Sequence, residues 1–420
     1  MNRAMSGFVA VLMLMVFFAG CVQEKAPRAE IEVPMGVLTD LSGPLTTYGE
    51  DIKTTVTIAS EKINEYFEKE GKPYRVKLYV EDTKVDPKIA LDKVMALHTK
   101  GVKLIVGPMG SGEVKNIIEY VRSNKIIVAS PSSTAETKYI GVISPEEKKY
   151  IFRFVATDSF QTKAIAKLAQ EQGFKAVVIT HIGNAWGKGL AEFGEEEFKK
   201  LGIEVKGSVE YPDPPPADFT PYIATIERDV NALLKNYTWD QIAVVAFSYE
   251  EVATMLAQTN DNSVLLNVKW IGCDGTAKSS KVITDVPVKA NKTRLYSTVS
   301  ETRGGKEFDE LNSTYFKIMG SSPKSYGMNA YDAAWVLALS FAEVYDKQGK
   351  YDEDAAAEAV PGVAENYSKG TYGIAPVSGD LKLNEYNDRI GSEYRIYAVS
   401  EGSWKEIGVW KFATNEITWS

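Results

Sequence analysis

Short β-rich runs and amphipathic stretches alternate from Ile31 to Gly272, and this alternation constrains the fold more than any other feature of the chain. Runs such as Lys103-Leu-Ile-Val and Lys125-Ile-Ile-Val place apolar residues at consecutive positions. That pattern suits parallel strands covered on both faces, because a half-exposed strand would alternate instead. One series of such units runs from Ile31 to Ala129, and a second starts near Ser159. Strand-helix alternation of this length predicts an α/β chain with two doubly wound, Rossmann-like lobes, each a parallel sheet built by right-handed crossovers. The tail differs. Gly379-Asp-Leu-Lys-Leu, Glu393–Val399 and Trp404–Phe412 read as antiparallel strands around Gly and Asn turns.

The 420 residues, 25% of them charged and 44% hydrophobic, have ordinary globular composition, which excludes a disordered chain or a polytopic membrane protein. A net charge of −8 lacks the basic footprint of a nucleic-acid binder. With only Cys21 and Cys273, and only His98 and His181, neither a disulfide framework nor a Cys/His metal site can be assembled. The amino terminus reads as an address. Arg3 precedes the apolar run Phe8–Gly20, which as a helix rises about 20 Å, short of the ~30 Å hydrocarbon core. Residues 1–20 are therefore expected to be a signal peptide. Phe18-Ala-Gly-Cys21 resembles the lipobox of prokaryotic lipoproteins, in which the cysteine becomes the new amino terminus and carries lipid. Residues 21–30 would then be a lipidated tether. The body is expected to lie outside the cytoplasm, anchored at the outer face of the cytoplasmic membrane. Asn236, Asn291, Asn312 and Asn366 head Asn-x-Ser/Thr sequons that only permit surface glycosylation.

In open α/β sheets ligands bind beyond the carboxyl ends of the strands. The first series offers Thr39-Asp-Leu-Ser-Gly-Pro-Leu-Thr-Thr-Tyr48, Gly107-Pro-Met-Gly-Ser111 and Ser130-Pro-Ser-Ser-Thr134 at those places. The second offers His181-Ile-Gly-Asn-Ala-Trp186, Ser248-Tyr249-Glu250 and Cys273-Asp274-Gly275. Hydroxyls and glycine-exposed amides make a cradle for a carboxylate, whereas aromatics and carboxylates suit an apolar group and a cation. Together they suit a zwitterion. The plainer readings are turn chemistry for the Gly/Ser/Pro loops, lobe packing for Tyr48 and Trp186, and a cap or turn for Asp274. Joint placement after strands is what favours a site.

Leu41-Ser-Gly-Pro-Leu with Tyr48-Gly, Glu81-Asp-Thr-Lys-Val-Asp-Pro87, Gly107-Pro-Met-Gly-Ser111, Ser130-Pro-Ser-Ser-Thr134, Trp186-Gly-Lys-Gly-Leu190, Asp218-Phe-Thr-Pro221 and Asn329-Ala-Tyr-Asp-Ala-Ala334 resemble, in order, the branched-chain amino-acid binding proteins of ABC importers. The resemblance implies a type I periplasmic-binding-protein fold with three hinge crossovers, expected near Arg153–Thr157, Cys273–Thr276 and Tyr372–Pro376. Residues 31–154 with 277–372 would form lobe one, and residues 155–276 with 373–420 lobe two. It further implies that Ser111 and Thr134 hold a ligand carboxylate and that Ser132 and Ser133 lie in a contacting loop. Tyr48 and Trp186 would flank the ligand side chain, the family's tyrosine beyond its sixth sheet strand falls at Tyr249 where Ser248, Tyr249 and Glu250 could each point inward, and Asp274 would pair with an ammonium. Relatives usually carry Glu at that last place, one methylene longer. The implied partners are a small amino acid or related ligand and a membrane permease; urea, short amides or aromatic acids are the alternative ligands, and a sensor of the same fold the alternative role. No cofactor or metal is implied, and the expected state is a monomer.

Enzyme readings fare worse. Gly107-Pro-Met-Gly-Ser-Gly112 runs into Glu113-Val114 where a phosphate loop needs Lys, and Met109 and Glu113 replace the glycines of a nucleophile elbow around Ser111. His181 is expected to be a solvated or loop-packing residue, and Glu81, Asp82 and Asp86 a solvated face.

Overall fold

The computed structural model describes residues 30–301, 305–391 and 393–420; the leader, Cys21 and most of the tether lie outside the described residues. Strands β1 (Ile31–Thr39), β2 (Tyr74–Asp82), β3 (Leu104–Val106), β4 (Ile127–Ser130) and β5 (Ile151–Arg153) form a parallel sheet in the order β2-β1-β3-β4-β5. Met35 of β1 stands in register between Leu78 and Leu104. Strands β6 (Ala176–Ile182), β7 (Glu204–Tyr211), β8 (Ile242–Phe247), β9 (Lys269–Ile271) and β10 (Tyr296–Ser300) repeat that order as β7-β6-β8-β9-β10, again all parallel. Every residue of β6 and of β8 is buried, as the apolar runs Ala176–Ile179 and Ile242–Phe247 require. Antiparallel β11 (Glu393–Ser400), β12 (Ser403–Lys411) and β13 (Glu416–Trp419) extend the second sheet from β10.

The molecule is thus an α/β protein of two doubly wound lobes. Two of the expected boundaries are corrected. β10 is the fifth parallel strand of the second sheet, so the chain stays with the second lobe past residue 277 and returns to the first only beyond Ser300. The signal was hidden because β10 carries Ser297 and Thr298 where a buried strand usually carries aliphatics. Both are used: the Ser297 hydroxyl lies 2.7 Å from that of Thr276, and the Thr298 carbonyl accepts from Gln161. The final crossing is also later than Tyr372–Pro376, since Asp388 still bridges to Arg153 at the end of β5 and the second sheet resumes at Glu393. In the tail only Leu383 and Arg389 form a bridge near the expected Gly379–Leu383 strand.

A buried ionic cluster pins that last approach to the first lobe. Arg153 donates to both carboxylate oxygens of Asp388, Nε at 2.5 Å and Nη2 at 2.7 Å, and Lys148 binds the same carboxylate. All three side chains are essentially inaccessible. In the first lobe, the helix Ser325–Gln348 is buried on nearly every side from Ser325 to Ala342, because it lies between the sheet strands β3 and β4 and the helices Thr46–Lys69 and Glu353–Ser368. No helix among the described residues is long and apolar enough to cross a membrane.

Candidate ligand-binding site

Both sheets reverse strand order at their centre, the first between β1 and β3 and the second between β6 and β8, and a crevice opens at such switch points. The loops after β1, β3 and β4 meet those after β6, β8 and β9 there. Leu45, Met109, Gly110, Ser111, Ser132, Trp186, Tyr249, Asp274, Gly275 and Tyr326 line one cavity. The free space among them is about 20 Å³, room for about one water. An organic ligand therefore enters only if the lobes part or the aromatic side chains swing aside.

The loop after β1 is organised by Asp40, whose carboxylate accepts the backbone N–H groups of Ser42, Gly43 and Leu45. It delivers Tyr48 into the first turn of the helix Thr46–Lys69. Gly49 is required next to it, since a Cβ would stand 1.6 Å from the Asp40 carbonyl oxygen. The Tyr48 hydroxyl reaches across to the second lobe, 2.9 Å from the carbonyl oxygen of Asp274 and within bonding distance of that of Ala277. Tyr326 packs on Tyr48 with ring centroids 5.0 Å apart, and its hydroxyl donates to Asp274 Oδ2. Burial, then the nearby Asp274 charge, pushes both tyrosine hydroxyls well above their ordinary range, so they stay protonated donors.

On the other wall, Ser111 opens the helix Ser111–Ser123. Its Oγ accepts from the Ser133 hydroxyl at 3.0 Å and from the Ala135 N–H at 3.1 Å. With both acceptor positions filled, its own proton is free to donate. Ser132 donates to the Met109 carbonyl, and Ser130 Oγ ties the Ser133 N–H to the Pro108 carbonyl, so the two Ser-rich loops are fixed on each other. Glu113 holds the Gly110 N–H at 2.6 Å; burial lifts its carboxyl to about 8, which keeps it largely neutral near pH 7.

Trp186 and Tyr249 stack at 4.6 Å with 13° between their planes. Asn184 sets both, capping the Trp186 helix through the Gly187 N–H and donating to the Tyr249 hydroxyl. Gly275 lies against this pair, where a Cβ would come 3.0 Å from each ring. Asp274, buried, has its carboxyl raised by desolvation, while Oδ1 has no hydrogen-bond partner. Asp158 heads the helix Asp158–Glu171 just after the first crossover; both its carboxylate oxygens and the hydroxyl of Thr134 are likewise buried and unbonded. Burial, followed by the charge of Asp274, raises Asp158 well above the ordinary carboxylate range.

Five of the eight expected ligand contacts, Ser111, Ser132, Trp186, Tyr249 and Asp274, line the cavity directly. Tyr48 stands behind Asp274, Ser133 behind Ser111, and Thr134 toward Asp158. The sequence reading missed Tyr326 and Asp158. Tyr326 sits only three residues before the Asn329-Ala-Tyr-Asp motif, and Asp158 is an acid at the start of the first helix of the second series; those positions were the available signals. His181 is buried with Nδ1 3.1 Å from the Ile182 carbonyl oxygen, a packed residue of its loop. Glu81 pairs with Lys93 and Lys100, Asp82 accepts from Leu41 and Ser42, and Asp86 caps the next helix, so each acid of that loop has a structural task.

The model of the receptor family ligand binding region matches residues 52–402. An uncharacterised protein of Methanocaldococcus jannaschii is 44% identical over 98% of both chains. The Leu/Ile/Val-binding protein BraC3 of Rhizobium johnstonii is 22% identical over 90% of this chain and 94% of its own. Among solved structures, the branched-chain amino acid transporter substrate binding protein LivJ of Streptococcus pneumoniae, in complex with isoleucine, superposes with a TM-score of 0.72 at 18% identity, covering 93% of this chain and all of that one. The chain belongs to the receptor family ligand binding region and has the two-lobed fold of type I periplasmic binding proteins.

Proposed function

We propose that this protein is an extracytoplasmic solute-binding receptor of an ABC importer that captures an α-amino acid, branched-chain or closely related, between its two lobes. The observation that carries the reading is buried acid without a hydrogen-bond partner: Asp274 Oδ1 in the cavity wall and, beyond it, both oxygens of Asp158 beside the Thr134 hydroxyl. A buried charge without a partner is costly, and a primary ammonium, with three donors, matches these acceptors. The Ser111 hydroxyl would donate to the ligand carboxylate, with the Ser132–Ser133 loop around it. Trp186 and Tyr249 would enclose an aliphatic side chain. Tyr48 and Tyr326 act through Asp274, which they fix in place. An aromatic acid or urea brings no ammonium for the acids. The leucine/isoleucine/valine-binding relative and the isoleucine-bound neighbour support the same ligand class.

Capture follows from geometry. A ligand touching both lobes binds the closed form better than the open one and shifts the population toward it, which is the form a permease would recognise. Relatives of this fold are substrate-binding or receptor proteins. Cys21 would carry the lipid that keeps the receptor at the membrane.

A thermal-shift screen of the mature chain against the common amino acids, urea, short amides and aromatic acids tests the reading. At about 100 times Kd a ligand adds roughly 2.7 kcal/mol and raises Tm by several degrees. The expected result is a shift with leucine, isoleucine or valine. A shift with urea or an aromatic acid alone contradicts it.

A further inference from the structure

The acids in and behind the cavity wall, Asp274 and Asp158, offer more carboxylate than one ammonium needs. Asp158 and Asp274 are both buried and three of their four oxygens have no hydrogen-bond partner; Asp274 lines the cavity, Asp158 lies beyond it with its N–H on the Thr134 carbonyl, and among the described residues no lysine or arginine lines the cavity. The groups that face Asp158 are Thr134, Glu136, Arg153, Tyr394 and Asp274. Arg153 does not neutralise it, because that guanidinium is already committed to both oxygens of Asp388 and to the Ala135 carbonyl. Asp274 faces Tyr48, Tyr326, Gln161 and the Cys273 thiol, none of them cationic. Gln161, one turn after Asp158, gives its amide protons to Thr298. Two desolvated carboxylates that repel each other, with no cation between them among the described residues, do not both ionise, and the protons of such a pair belong to the pair.

We propose that Asp158 and Asp274 hold one proton between them in the unliganded site and that an incoming ammonium expels it, so each captured amino acid releases one proton to solvent. The balance is simple: the ligand arrives as R–NH₃⁺ and keeps its three protons, the pair changes from one carboxyl and one carboxylate to two carboxylates, and one H⁺ leaves. Because the proton competes with the ammonium, affinity rises with pH wherever the free pair is protonated, by tenfold per unit for one proton. This rests on the amino-acid reading above. Desolvation and mutual repulsion, which raise both carboxyls, agree with it.

The test is isothermal titration calorimetry of the mature chain with leucine, isoleucine and valine, in phosphate and in Tris at pH 7, and again at pH 6. Buffers of different ionisation enthalpy report the protons exchanged. The expected result is one proton released per ligand and a Kd about tenfold weaker at pH 6. In Asp158→Asn, with one acid left for the ammonium, the release and the pH slope are expected to vanish. Tight binding of one of these amino acids with no proton exchanged and a pH-independent Kd overturns the proposal while leaving the amino-acid reading standing. Proton release that persists in Asp158→Asn overturns the assignment to this pair. Failure of all three amino acids to bind at either pH overturns both.

Discussion

The hydroxyl of Tyr326, on a helix of the first lobe, donates to Oδ2 of Asp274, in the loop after β9 of the second. Tyr48 adds a contact from its hydroxyl to the Asp274 carbonyl oxygen, so the acid proposed to read the ligand is also a point where the lobes are tied. Tyr326→Phe keeps the ring packed on Tyr48 and removes only the donor. It leaves a buried carboxylate oxygen unpaired, at a cost of about 1–3 kcal/mol. Chemical denaturation of the ligand-free protein is expected to show that loss, and an unchanged midpoint would mean the bond does not form.

Ser111 is placed to do two things at once. Its Oγ accepts from Ser133 and from the Ala135 N–H, which leaves its proton free to donate, and the residue lines the cavity. Removing a hydrogen bond to a charged ligand group costs about 1.5–3 kcal/mol, roughly ten- to a hundredfold in Kd. Ser111→Ala is therefore expected to weaken amino-acid binding by that factor in calorimetry. Wild-type affinity in this variant removes Ser111 from the carboxylate cradle.

At the hinge, two buried cations share one carboxylate, and the geometry says which is surplus. Arg153 is bidentate to Asp388, whereas Lys148 shares the oxygen that the Arg153 Nε already uses. Burial and the Arg153 charge push the Lys148 ammonium down to about 7, from an ordinary value of 10.5. Between those values the unfolded chain binds a proton that the folded chain does not, so stability rises with pH from about 7 toward 10.5. Below 7 the folded lysine is charged as well and the term is flat. Lys148→Met should abolish that rise and match or exceed wild-type stability at pH 7. Asp388→Asn, which strands both cations, should cost about 3–5 kcal/mol. Urea melts of the three proteins at pH 7 and pH 9 separate these outcomes.

Much of this architecture was legible in the sequence because a strand buried on both faces must be apolar at consecutive positions, as in Leu104-Ile-Val and Ile242–Phe247. β10 escaped for the converse reason, since Ser297 and Thr298 are buried but hydrogen-bonded, and buried polar groups with partners leave no apolar signature. That one strand moved the boundary of the second lobe. Site residues that follow strands, Ser111, Trp186 and Asp274, could be found because topology fixes where such loops go. Tyr326 and Asp158 carry only weak local signals, a nearby motif and a helix start, and it is the folded chain that brings them to Asp274.

The proposed function turns on buried acid at the cleft pairing with a ligand ammonium. The most direct measurement is calorimetric titration of wild type and Asp274→Ala with leucine, isoleucine, valine and 4-methylpentanoate, the leucine skeleton without its amino group. Truncating one partner of a buried charge pair costs about 2–5 kcal/mol. Wild type is expected to bind at least one of the amino acids and not 4-methylpentanoate, and Asp274→Ala to lose at least about thirtyfold in affinity. Binding of 4-methylpentanoate as tightly as leucine, or unchanged amino-acid affinity in Asp274→Ala, would contradict it.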